Sequence, residues 1–235
     1  MQWTLPITIE FILWIIDSVL VLYAFGYLFR DAYKKYKSDI PASYDLALSM
    51  FFLINFFAYG MFICRVFFFE LWGLMSYYEI SMEISQLLTI LSLIAITIGI
   101  ERNLIKRTKY LFSISMSIYL VILVILRIAG VPINIFGFPY NIVNLILVLM
   151  LPSFYLYLAI KYPGKLRKNS IIMFTGLMIM FLGAIGNYEH AQLLVPELMA
   201  NINFATFARF LSVSMIITGL VIQLYNFIKV KEDEI

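Results

Sequence analysis

Long apolar runs alternate with short polar breaks along the whole chain. Seven apolar stretches, at about 7–29, 44–69, 82–100, 110–129, 141–161, 170–188 and 202–228, each reach the roughly 20 residues that a bilayer core requires of a spanning helix. The breaks between them are too short to hold a soluble domain. The pattern therefore predicts one all-α integral membrane domain over residues 1–235, a bundle of seven transmembrane helices that run antiparallel to their chain neighbours. "VPINIFGFPYN" (131–141) and "YPGK" (162–165) carry the Pro, Gly and Asn of turns. Pro152 falls inside the fifth stretch, where its missing N–H frees the carbonyl four residues earlier and predicts a hinge.

Composition agrees with this pattern. Hydrophobic residues make up 63% of the chain and charged residues 13%, a balance that no soluble domain of 235 residues could cover. The opening "MQWTLPITIE" lacks the basic segment of a signal peptide, so the first stretch is expected to be a retained helix. With Cys64 the lone cysteine, an intramolecular disulfide and a cysteine metal site are both excluded. The net charge of +3 is too small to imply a nucleic-acid partner.

The distribution of the basic residues says more than their sum. Residues 30–43, 101–109 and 161–169 hold four each and the tail "KVKEDEI" holds two, which is fourteen of the seventeen. All fall on one side of the predicted spans. By the positive-inside rule the N-terminus lies outside and the C-terminus in the cytoplasm, with the plasma membrane as the expected location. Trp3, Trp72, Tyr77, Tyr78 and Tyr140 then form an aromatic belt at the outer interface.

The three remaining arginines, Arg65, Arg127 and Arg209, sit within helices, and Asp17 sits near the middle of the first. At 1.5 Å per residue Asp17 is about 15 Å from either face, and Arg209 is on the order of 10 Å deep. An unpaired charge at that depth costs a few kcal/mol or more, so these groups must pair, lose their charge or face a wet cavity. Side chains lean toward their own helix N-terminus. Asp17 therefore leans outward and Arg65 inward, and the two are expected to approach each other. Glu10 shares the face of Asp17, seven residues away. Glu83 and Gln86 share a face on the third helix, and Asn141 and Asn144 share one on the fifth. Gly176, Gly183, Asn187 and His190 recur at helical spacing on the sixth. Thr206, Arg209, Ser212, Gly219, Gln223 and Asn226 form a stripe on the seventh that is expected to face protein.

The ligand- or ion-binding candidates are thus Asp17, Arg65, Arg209, Glu83, Gln86, Asn144 and Asn187, with Pro152 as hinge. Arg127, near a helix end, reads as a group that reaches the headgroups. Glu10 reads as a structural partner and His190 as a surface residue. Several chemistries fall away. No span carries a central lysine for a retinal Schiff base. One histidine cannot supply a two-histidine haem or a histidine metal site. No G-x-S-x-G elbow, T-V-G-Y-G filter, phosphate loop or voltage-sensing arginine repeat occurs. Neither enzyme activity nor a cofactor or metal is expected. "RNLIKRTK" and "YNFIKVKE", and more loosely "YLFRDAYKK" and "YLAIKYPGK", hint at a three-plus-one-plus-three repeat of the kind transporters use.

Three function classes fit. The first is a receptor or sensor with a polar pocket in the outer half and a separate cytoplasmic or membrane partner. The second is a small transporter or channel that uses Asp17 as a mid-membrane carboxylate. The third is a structural subunit of a larger membrane complex. Membrane lipid is a partner in each case, and the basic inner segments either serve topology alone, the preferred reading, or also bind anionic headgroups.

Overall fold

The computed structural model describes residues 5–70, 72–105, 108–131, 137–186 and 202–232. Among them the secondary structure is helical, with no strand. The elements are α1 (Leu5–Lys37), α2 (Ser43–Cys64) continued by a π-helical turn (Arg65–Phe69), α3 (Met75–Asn103), α4 (Leu111–Ile128), α5 (Gly137–Lys161), α6 (Lys165–Gly186) and α7 (Ile202–Glu232). Six of these, α1 to α4, α6 and α7, are long and apolar enough to cross a bilayer. In α5 the apolar stretch Val148–Lys161 is shorter.

Several helices outrun the apolar stretches that predicted them. α1 continues through "RDAYKKYK", which the pattern assigns to a loop, because nothing in that segment breaks a helix. Asp31 and Lys35 pair one turn apart, and Lys34, Lys35 and Lys37 lie at the end of the helix dipole that favours cations. The stop comes at Asp39, whose φ of 55° lets the Ile40 N–H bond the Lys35 carbonyl at 2.9 Å and the Asp39 N–H bond Tyr36 at 3.3 Å. Pro41 follows. Gly73, with φ of 69°, closes the π-helical end of α2 in the same manner through Leu74 N–H to Phe69 O at 2.8 Å. α3 then starts at Met75, seven residues before its apolar stretch.

The chain divides into two compact units. One comprises Val21–Val148, and the other Gln2–Leu20 with Leu149–Ile235. In the first, α3 is the central helix. It packs on α2 through Gly99, where an added Cβ would come to 2.5 Å from the Ala47 Cβ, and through Ser43 Oγ to Asn103 Oδ1 at 2.9 Å. It packs on α4 at three heights: Arg127 to Glu83, Thr97 to Met116, and Ser113 to Glu101. The last contact caps a helix. The Glu101 carboxylate accepts the Phe112 and Ser113 N–H groups at 3.2 and 3.0 Å and also the Ser113 hydroxyl, meeting the otherwise unpaired donors that open α4. At the same end Lys35 binds Asp45 at 2.8 Å, joining α1 to the first turn of α2.

In the second unit α6 and α7 run antiparallel with their backbones nearly touching. A Cβ on Gly183 would come to 2.7 Å from the Ser212 carbonyl, and one on Gly176 to 2.9 Å from the Gly219 carbonyl. Ser212 Oγ donates to the Gly183 carbonyl at 2.7 Å. Lipid offers no hydrophobic drive for two apolar helices to associate, so close approach of small residues and buried hydrogen bonds must hold them. Ser212, Gln223 and Asn226 of the predicted α7 stripe are buried here, and Thr206 and Arg209 are half-buried. Outward, both units expose large apolar side chains, among them Ile12, Val19, Phe57, Ile118, Ile125 and Leu211. Such surfaces are solvated by acyl chains and not by water. The protein is a multi-pass helical membrane protein.

Candidate functional site

α1 buries one stripe at helical spacing: Glu10, Trp14, Asp17, Ser18, Val21, Ala24, Leu28 and Ala32. Two acids are on it, as their spacing of seven predicts. Glu10 binds Arg209 of α7, Nη1 to Oε2, at 3.5 Å. That is a long pair, and the Arg209 side chain keeps a quarter of its surface exposed. Two turns along α1, about 10 Å by the helical rise, Asp17 is fully buried at 0% exposure. Neither of its carboxylate oxygens has a hydrogen-bond partner among the described residues. The adjacent Ser18 hydroxyl is engaged with the Trp14 carbonyl at 2.9 Å.

In the other unit Arg65 opens the π-helical turn and is 4% exposed. Its guanidinium carbon lies 5.0 Å from the centre of the Phe62 ring and 5.5 Å from that of Tyr78. Two ring faces supply part of what water would supply to a cation, an interaction of about 2 kcal/mol or more when desolvated. The wider π turn is marked by the Glu70 N–H reaching back five residues to the Arg65 carbonyl at 3.0 Å. It alters the phase of the helix after Cys64 and buries both Arg65 and Phe67.

Glu83 is paired with Arg127, Nε to Oε2, at 2.6 Å, with the acid side chain 7% exposed and the arginine 41%. The arginine read as reaching the headgroups thus also neutralises a buried carboxylate on the adjacent helix. Equal heights on an antiparallel helix pair could have pointed to this contact, but helix phase was not readable from the sequence. Gln86, three residues beyond Glu83, is half-buried. Pro152 is buried within α5, which is helical on both sides of it. Asn187 and His190 lie outside the described residues, as do the side chains of Asn141 and Asn144. Asp17 and Arg65 belong to different units.

The structure thus brings Arg209 together with Glu10, and Glu83 together with Arg127. Two of these four are residues that the sequence reading treated as structural. Among the described residues no cluster of three or more His, Cys, Asp or Glu side chains could hold a metal ion. No protein family model, curated protein or solved structure matches the chain.

Proposed function

We propose a receptor- or sensor-like membrane protein of seven spans, with its N-terminus outside and its C-terminus in the cytoplasm. Its polar groups in the outer half receive a charged ligand or ion, and its basic inner segments pass the change to a separate cytoplasmic or membrane partner. The observation that carries this reading is the Glu10–Arg209 pair with Asp17 two turns deeper on the same face of α1. Charge within apolar helices is costly and is retained where it is used. A competing charged group can take the place of one partner of this 3.5 Å pair, so that the other charge is not left buried alone. Arg65, Glu83 and Gln86 are the candidates in the other unit, and Asn144 and Asn187 stand as sequence candidates.

The test uses the full-length chain in lipid nanodiscs with a panel of monovalent cations, small amines and small carboxylates. A member that binds raises the unfolding temperature, and both Arg209→Ala and Asp17→Asn abolish that rise while membrane insertion is retained. Stabilisation that survives both substitutions refutes the reading. One observation favours the second reading, transport: a buried mid-helix carboxylate with both oxygens unpartnered is a natural binder of a proton or a metal cation. On that reading proteoliposomes would dissipate an imposed proton or sodium gradient, and Asp17→Asn would stop the flux.

A further inference from the structure

α4 is the least enclosed of the candidate spans. Beside it, within the first unit, lies an open groove of about 560 Å³ lined by Ile98 of α3 and by Tyr110, Ile114, Ile118, Val121 and Ile122. Two serines also border it, and neither offers its hydroxyl proton to an occupant. Ser113 donates to Glu101, and Ser117 donates to the Ser113 carbonyl at 2.8 Å. Apart from the Tyr110 hydroxyl at one end, the groove therefore offers an occupant apolar contact, which suits hydrocarbon. From Tyr110 to Ile122 the groove follows α4 for about 18 Å at the helical rise. That is close to one leaflet of a hydrocarbon core about 30 Å thick.

Two basic residues stand next to the lining at the Tyr110 end of the groove. Arg102 lies one turn beyond Ile98 on the same face of α3, and Lys109 immediately precedes Tyr110. Both are exposed, and among the described residues neither has an ion-pair partner. Glu101, the acid beside Arg102, is buried and turned to the α4 N–H groups, so it does not oppose an anion at the mouth. The turn that carries Lys109 and Tyr110 there has φ of 48° and 64°, left-handed backbone that residues with side chains adopt only at a cost.

We propose that this groove binds an anionic phospholipid, with one acyl chain along α4 and the phosphate between Arg102 and Lys109. The apolar lining, the one-leaflet length and two unpaired cations at the interfacial end specify that occupant jointly. The site does not depend on the receptor reading.

Native mass spectrometry of the full-length chain, released from detergent with added lipid, tests it. The probes are phosphatidylglycerol and phosphatidylcholine with identical acyl chains. The wild type is expected to retain the anionic lipid in preference. Arg102→Gln and Lys109→Gln each lower that affinity about fivefold, the effect of one basic residue at a charged interface, and lower that of phosphatidylcholine less, because its choline already offsets the phosphate charge. Ile118→Trp fills the groove and lowers retention of both lipids, with Val121→Phe as a second filling variant if the first fails to fold. Equal retention of the two lipids by the wild type overturns the proposal, as does an unchanged preference in the double glutamine variant. It is also overturned if the filling variants leave lipid binding intact and instead dissociate an oligomer, which would make the groove a seat for a second copy of the chain.

Discussion

Replacing Gly219 by alanine adds one methyl group at the point where α7 meets α6. Its Cβ would collide with the Gly176 carbonyl oxygen and come to 2.7 Å from the Met180 N and 2.9 Å from the Met180 Cβ. Two of those three atoms belong to the backbone of a helix, so no rotamer change relieves the clash. The helices must separate by about 1 Å to bring the Gly176 carbonyl back to ordinary contact, and a gap of that size forfeits up to about half of the dispersion energy of the atoms it parts. Overpacking of this kind costs about 1–3 kcal/mol, and the Ser212–Gly183 hydrogen bond weakens with it. Gly26 in α1 and Gly60 in α2 are the controls, because a Cβ at either meets nothing within 4 Å. There, alanine restricts the unfolded chain and is expected to stabilise by about 0.5–1 kcal/mol. The assay is unfolding of the full-length chain in mixed micelles with a rising fraction of denaturing detergent, followed by helical circular dichroism. The two classes of glycine should shift the midpoint in opposite directions. If Gly219→Ala is as stable as Gly26→Ala, the close α6–α7 packing is wrong.

The α4 cap and the proposed orientation each give a further outcome. Glu101→Ala removes the acceptor for the Phe112 and Ser113 N–H groups and for the Ser113 hydroxyl. It is expected to cost about 2–3 kcal/mol in the same assay, whereas Glu101→Gln, which keeps one acceptor oxygen, should cost less. Equal stability of wild type and Glu101→Ala would refute the capping role. The proposed orientation predicts that, in a Cys64→Ser background, a membrane-impermeant maleimide labels Trp72→Cys on intact cells and labels Pro163→Cys only after lysis. The reverse order of labelling would invert the topology.

Sequence by itself determined the class of this protein, because hydrocarbon selects for what can be read directly. Unbroken apolar runs of span length require helices, since a spanning backbone must satisfy its own hydrogen bonds. Small and polar residues at helical spacing must face protein, and Ser212, Gly219, Gln223 and Asn226 do so. Helix ends were less legible. The drop in hydropathy at Arg30 marks where the membrane stops, not where the helix stops, and α1 continues to its cap at Asp39. The pairings were set by three-dimensional register alone. Glu101 is one more charge in a basic loop until α4 folds back and aims its first N–H groups at it. Glu10 rather than Asp17, on the same face of α1, answers Arg209 within their unit, because an ion pair requires matching height, which composition does not carry. The π turn at Arg65 shifts that phase by one residue in a run of Val and Phe that shows no sign of it. Local chemistry chose the elements, and the packing of their faces decided which charges meet.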